Sequence, residues 1–174
     1  MLYEQRQARL SQVDEWILEG RLAVSDAEDG GSGQLRWRHA EHHVRMDFHG
    51  ALGRGAWRLE ADPAGAELTF ADGRRSRADS VDALVRAEIG WPVPVESLAW
   101  WVRGLAAPGG FPVRELDEEG RLSELQQDGW AIEFGRYGAV GDEQLPMRMT
   151  ARQDGRTVKL AVRKWQLAMP DEPR

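Results

Sequence analysis

Across most of this 174-residue chain, apolar side chains alternate with charged or polar ones, and that period of two constrains the fold more than any other feature. Leu22 and Val24 alternate with Arg21 and Ala23, Leu35 and Trp37 with Arg36 and Arg38, and Val44, Met46 and Phe48 with Arg45 and Asp47. Trp57 and Leu59 alternate with Arg58 and Glu60, and Leu68 and Phe70 with Glu67 and Thr69. Further along, Val113 and Leu116 precede Leu122 and Leu125 across Glu118-Glu119-Gly120. Trp130, Ile132 and Phe134 alternate with Ala131 and Glu133, Met147 and Met149 follow Pro146, and Val158, Leu160 and Val162 alternate with Thr157, Lys159 and Arg163. Successive side chains of a strand point to opposite faces, so each segment is read as a strand with one apolar and one wet face. The breaks carry turn residues: Asp29-Gly30-Gly31-Ser32-Gly33, Pro63-Ala64-Gly65, Asp72-Gly73 and Asp154-Gly155. Connections this short impose an antiparallel meander.

Two regions change period. Residues 2–18 read as an amphipathic helix, with Leu10, Val13 and Ile17 on one face, Trp16 beside them and Gly20 as the stop. Residues 79–105 read as two helices, the first capped by Ser80 and carrying Val81, Leu84 and Val85. The second runs from about Val95 to Arg103, with Leu98, Trp101 and Val102 on one face, after the interruption Trp91-Pro92-Val93-Pro94 and before Gly104. No linker, repeat or low-complexity stretch divides residues 1–174, so a single domain is expected. The class is mainly β with helices (α+β). A sheet of about eleven antiparallel strands must curl, which predicts an open half-barrel whose three helices lid an apolar interior.

The lid helices are few and short against so many apolar strand faces. This predicts an incompletely filled interior suited to a hydrophobic guest, although the same side chains could fill an ordinary core. The candidate cavity residues are the inward-parity positions. They comprise Leu22, Val24, Leu35, Trp37, Val44, Met46, Phe48, Trp57, Leu59, Leu68 and Phe70 from the first run of strands, Leu98, Trp101 and Val102 from the lid, and Trp130, Ile132, Phe134, Met147, Met149 and Leu160 from the second run. Methionine is adaptable enough to repack around a flexible ligand. Between two strong strands, Gly50-Ala51-Leu52-Gly53-Arg54-Gly55 places a leucine where an exposed turn should be. Leu52 either protrudes to meet a membrane or other apolar surface, or folds back onto the sheet edge.

The segment Gly90-Trp91-Pro92-Val93-Pro94-Val95-Glu96-Ser97-Leu98-Ala99-Trp100-Trp101-Val102-Arg103-Gly104-Leu105 resembles the LolB family of outer-membrane lipoprotein receptors. Other similarities fall in the same order: Trp16 through Gly20-Arg21-Leu22-Ala23-Val24 looks like the family's opening strand, and Gly50-Ala51-Leu52-Gly53 like its protruding loop. Ala71-Asp72-Gly73-Arg74, Leu145-Pro146 and Val158-Lys159-Leu160 with Trp165 also fit, so the resemblance covers about residues 10 to 167. It implies an unclosed antiparallel barrel with a helical lid and an apolar lining that binds acyl chains. It further implies that lipoproteins are accepted from the soluble carrier LolA, which shares the fold, and are inserted into the outer membrane, with Leu52 as the membrane-insertion residue. The implied partners are a LolA-like carrier, acylated lipoproteins and the outer-membrane lipid surface, and a monomer is expected. Family members are anchored at the periplasmic face through an acylated N-terminal cysteine, whereas this sequence has none. The expectation is that the anchor precedes the sequence given. The alternative is a soluble periplasmic lipid-binding or hydrophobic-ligand-binding module without a membrane role.

Other chemistry finds little support. A net charge of -6 repels phosphate backbones, so no nucleic-acid partner is expected. The absence of cysteine excludes disulfides, thiolate zinc sites and a cysteine nucleophile. No apolar run approaches the ~20 residues that span a bilayer, and Met1-Leu2-Tyr3-Glu4-Gln5-Arg6 opens on a polar helix pattern rather than a signal peptide. There is no Gly-x-Ser-x-Gly elbow, and Gly30-Gly31-Ser32-Gly33 lacks the spacing of a phosphate loop, so neither catalysis nor a cofactor is expected. His39, His42, His43 and His49 lie close together near Glu41 and Asp47, as a weak metal candidate or simply a polar hairpin. Arg74-Arg75-Ser76-Arg77 is a basic patch on an acidic chain, able to meet anionic headgroups or an acidic partner, or to be a solvated hairpin.

Overall fold

A computed structural model describes residues 2–50, 55–91 and 93–168. Helix α1 (Leu2–Leu10) leads into six strands: β1 (Glu15–Ser25), β2 (Gly30–Ala40), β3 (His43–Gly50), β4 (Trp57–Asp62), β5 (Gly65–Phe70) and β6 (Arg75–Ala78). Helices α2 (Val81–Glu88) and α3 (Val95–Trp101) follow. The chain then forms β7 (Val113–Leu116), β8 (Leu122–Gln127), β9 (Trp130–Phe134), β10 (Tyr137–Val140), β11 (Glu143–Pro146), β12 (Arg148–Gln153) and β13 (Arg156–Ala168).

Eleven strands form one antiparallel sheet in the order β6-β5-β4-β3-β2-β1-β13-β12-β9-β8-β7. Two meanders thus grow outward from the central β1–β13 pair, which extends from Glu15↔Ala168 to Ser25↔Thr157. The helices carry the chain from the edge at β6 across to the opposite edge at β7. The sheet does not close, and the expected half-barrel is the fold observed. Its concave side receives the inward parity: β1 alternates half-buried and buried positions, and Trp16, Leu18, Leu22 and Val24 all enter the core. The convex side carries the charges as cross-strand pairs, including Arg38–Glu15 at 2.6 Å, Arg58–Asp47 at 2.7 Å and Arg152–Glu133 at 2.7 Å. The sheet wraps α3: Trp101 meets Trp130 of β9 at 6.2 Å, while Ala99, Trp100 and Arg103 face Trp37 of β2 across a small cleft.

The structure corrects the N-terminal boundary. The helix ends at Leu10, not at residue 18, and Glu15–Ser25 is a strand. The helical spacing of Leu10, Val13 and Ile17 is a coincidence of phase. From Trp16 on, the alternation of Trp16, Leu18, Leu22 and Val24 places one set of side chains against the core, and tertiary pairing on both sides decides the issue. Gly30-Gly31-Ser32-Gly33 opens β2 instead of forming a turn, and the reversal is Asp26–Asp29, where the Asp26 carboxylate accepts from Glu28 N and Asp29 N at 2.8 Å. The ribbon β10–β11 lies outside the expected strands.

Gly20 is where β1 slips against β13: Glu19 faces Lys164 but Gly20 faces Val162, leaving Arg163 as the extra residue of a bulge. A Cβ at Gly20 would collide with the Ala161 carbonyl oxygen and lie 2.9 Å from Val162 Cα, both backbone atoms that cannot swing aside. The Gly20→Ala variant should lose about 1–3 kcal/mol of unfolding free energy, read by urea titration, because the central strand pair must separate to admit one methyl group.

Candidate functional site

The inward faces of β1, β3, β4 and β5 converge with the α2–α3 connection on an apolar chamber of about 730 Å³, lined by Val24, Phe48, Trp57, Phe70, Ile89 and Trp91 among others. Three rings make its wall. Phe48 and Trp57 stack with centroids 5.3 Å apart, and Trp91 stands edge-on to both at 5.4 and 5.8 Å. A Cβ at Gly33 would sit 2.7 Å from the Phe48 ring, so glycine there lets the ring lie across β2. At the rim, Gly30, Gly31 and Gly55 are exposed, and the absence of side chains keeps the mouth open. A second space of about 280 Å³ shares Val24, Ile89 and Trp91 with the first and continues to Trp130 and Val158. Arg74 stacks its guanidinium over Phe70, 4.2 Å from the ring centroid.

Buried polar ties hold the helices and the segment after α3 to the sheet. Arg103, only 5% exposed, donates from Nε to Ala99 O at 3.0 Å and from Nη1 to Leu10 O at 3.4 Å. These are carbonyls of the last turns of α3 and α1, the groups a helix cannot satisfy internally and the negative ends of two helix dipoles. Among the described residues no carboxylate pairs with Arg103, and burial draws its pKa down to about 10. Arg6 donates to Arg103 O at 2.9 Å, and burial likewise lowers its pKa. Gln127 of β8 holds the segment after α3: its Oε1 accepts from Trp101 Nε1 and from Ala107 N, both at 2.9 Å, and its Nε2 donates to Ala107 O at 2.7 Å. Tyr3 Oη accepts from Ala106 N at 2.8 Å. His39 lies flat on Trp16, centroids 5.0 Å apart, and burial with the nearby Arg103 cation pushes its pKa down to about 4.

Of the residues expected in the cavity, Val24, Phe48, Trp57, Phe70 and Trp130 line the open chamber and its extension. Trp37 and Val44 border a separate cleft of about 210 Å³ beside Arg103. Leu22, Leu35, Met46, Leu59, Leu68, Leu98, Trp101, Val102, Ile132, Phe134, Met149 and Leu160 are buried in the packed core, where the helices meet the sheet. Met147 precedes β12 and packs on Gly138 of the ribbon. Leu52 lies outside the described residues, between Gly50 and Gly55, both of which line the mouth. Sequence reasoning did not assign Ile89 and Trp91 to the site; the signal available was a tryptophan and a β-branched residue in a helix connection, where polar residues are usual. The four histidines do not converge: His42, His43 and His49 are exposed, and among the described residues no three potential metal ligands cluster. Two arginines of the basic patch lie within ion-pair distance of Glu67, Arg77 at 2.6 Å and Arg75 at 4.0 Å.

The fold is shared with a DUF1329 family protein from Desulfovibrio piger, at a TM-score of 0.63 and 5% identity over 98% of this chain and 92% of that one. It is also shared with a LolA superfamily protein from Nitrosomonas europaea, at a TM-score of 0.50 and 9% identity over 99% and 93% of the two chains. A helix-lidded, unclosed antiparallel half-barrel is thus the fold this chain shares with both proteins. In sequence, the family "Outer membrane lipoprotein LolB" matches residues 14–165. The outer-membrane lipoprotein LolB of Pseudomonas aeruginosa is 37% identical over 158 residues, covering 91% of this chain and 77% of that protein. That of Stutzerimonas stutzeri is 34% identical over 164 residues, covering 94% and 80%. The chain belongs to the LolB family.

His39 makes the fold acid-sensitive in a defined window. Its folded pKa lies below the ordinary 6.5, so the unfolded state binds the proton first and stability falls as pH drops from 6.5 to about 4. Urea unfolding across that window should show a shallower decline for His39→Gln than for the parent chain.

Proposed function

We propose that this protein accepts acylated lipoproteins from a LolA-like periplasmic carrier and inserts them into the outer membrane, holding acyl chains in the chamber walled by Phe48, Trp57 and Trp91. The observation that carries this reading is an open apolar space of about 730 Å³ between the lid connection and the strand ends of a half-barrel. It falls within the roughly 300–1,000 Å³ usual for small-ligand sites. Membership of the LolB family supports the same role. Acyl chains enter and leave between the α2–α3 connection and the strand ends around Gly30 and Gly55. In this proposal Leu52 is the membrane-insertion residue, the protein acts as a monomer at the periplasmic face, and it is anchored through an acylated N-terminal cysteine preceding the sequence given. Among the described residues no helix is long and apolar enough to cross a membrane.

Two substitutions separate uptake from delivery. Trp91→Glu places a carboxylate in the chamber wall without disturbing a strand, and should weaken binding of a fluorescent acyl-chain probe about tenfold or more. Leu52→Glu should bind the probe and accept lipoprotein normally but deliver it poorly to membranes. Unimpaired delivery by that variant would leave a soluble lipid-binding module as the better description.

A further inference from the structure

Phe111 is 100% exposed, the extreme among the large apolar side chains of the described residues. It stands on the turn Pro108-Gly109-Gly110-Phe111-Pro112, within a run from Gly104 to Val113 that contains no charged residue. The turn is not a loose end. Its base is held by the buried Gln127, whose Nε2 donates to Ala107 O at 2.7 Å and to Gly109 O at 3.3 Å. Gly109 and Gly110 adopt φ of 88° and 65°, which glycine takes without strain, and Val113 beyond the turn is 60% exposed. A fixed scaffold therefore holds an aromatic ring in water, which costs hydrophobic free energy unless something else covers it.

The position of the turn says what covers it. Gly110 sits against Asp128 Oδ1 at the β8–β9 turn, and Asp128 O accepts from Gln153 Nε2 at the end of β12. From there Trp130, Arg156 and Val158 line the chamber's extension. The Phe111 turn thus belongs to the end of the half-barrel where the chamber opens, and Gly50 and Gly55 border the far side of the same mouth. We propose that Phe111 is a second membrane-contact residue, entering the lipid–water interface on the opposite side of the mouth from Gly50 and Gly55, so that the mouth faces the bilayer during delivery. This rests on the transport reading, since only a mouth that discharges acyl chains needs to face lipid. An apolar ring such as that of Phe gains by leaving water for the headgroup–acyl boundary of a bilayer. The neighbouring turns carry Asp26, Asp29, Asp128 and Asp154 with Arg156 among them, so their net charge is negative and does not draw anionic headgroups. The contact is therefore driven by apolar partition and does not depend on anionic lipid.

The sequence has no cysteine, so Phe111→Cys accepts a single environment-sensitive nitrobenzoxadiazole label. With vesicles of phosphatidylethanolamine and phosphatidylcholine, emission from that label should rise, shift to the blue and be quenched by lipid-borne spin labels. A label at Asp142→Cys, on the β10–β11 turn, should stay aqueous. Phe111→Ser should melt like the parent and accept lipoprotein from the carrier normally, yet bind these vesicles about tenfold more weakly. If the label at 111 stays aqueous while one at Leu52→Cys enters the bilayer, the Phe111 proposal is overturned and the transport reading stands. If neither label enters and the parent chain binds no acyl probe, both fail. Loss of acceptance from the carrier with vesicle binding intact would make the turn a carrier-docking site. Binding that requires phosphatidylglycerol and disappears in salt would move the contact to the basic edge at Arg75 and Arg77. Either result overturns the proposal.

Discussion

Eleven strands offer one continuous concave apolar surface, and three helices of nine, eight and seven residues are all that covers it. The imbalance governs everything else in the molecule. Where α3 meets the sheet, the surface is sealed: Trp101, Leu98 and Val102 interdigitate with Leu22, Leu35 and Ile132, all buried. Helical cover runs out toward the strand ends near Gly30 and Gly55. There the rings of Phe48, Trp57 and Trp91 pack on one another at the edge of an open space. A pocket of this kind needs no special device, because it is what remains when a curled sheet is wider than its plug.

Where the lid sits is decided by buried polar chemistry. Burying a guanidinium without a carboxylate is costly, and the cost is offset here by oriented carbonyls at the C-termini of two helices. Arg103 bridges Ala99 O of α3 and Leu10 O of α1, Arg6 returns to Arg103 O, and Gln127 clamps the chain just beyond. Each group is useful only if α1, α3 and β8 stand in one relative position, so the network selects that position. The connection Ile89-Gly90-Trp91 borders the chamber, next to the glycines of its rim. Arg103, Arg6 and Gln127 thus hold α1, α3 and the segment after it, whereas the chamber is bordered by the α2–α3 connection.

Much of this was legible in the sequence, and the failures have physical causes. Val24, Phe48, Trp57, Phe70 and Trp130 were identifiable as inward-facing because strand parity needs no knowledge of partners. Parity cannot say how deep a residue lies, so Met46, Leu59 and Leu68 carried the same signal yet fell under the helices. Depth depends on where the lid ends, which is a tertiary fact. Trp16 was ambiguous because Leu10, Val13 and Ile17 happen to keep helical spacing through Ser11–Asp14, and only pairing with β2 and β13 resolves it. Ile89 and Trp91 sit in a connection with no period at all. The ribbon from Tyr137 to Pro146 alternates nothing, since its exposure follows contacts with α1 through Arg6 and Arg9 rather than a core face.

The same reasoning explains why the mouth tolerates so many acids. Asp26, Asp29, Asp72 and Asp154 accept or shape the turns that join long strands: Asp26 binds two backbone N–H groups, and Asp72 accepts from Arg74 N at 2.9 Å. Short, well-capped turns are what an antiparallel meander requires, and Asp with Gly provides them. Their charge is a by-product of that geometry, and it offsets the cations Arg74, Arg75 and Arg156 at the same end of the sheet. Apolar side chains on the connections at this end are then what can attract a bilayer. The 104–113 segment, which carries the chain from the lid to β7 across the end of the barrel, meets that condition: it forms no hairpin, carries no charge and ends in an exposed ring.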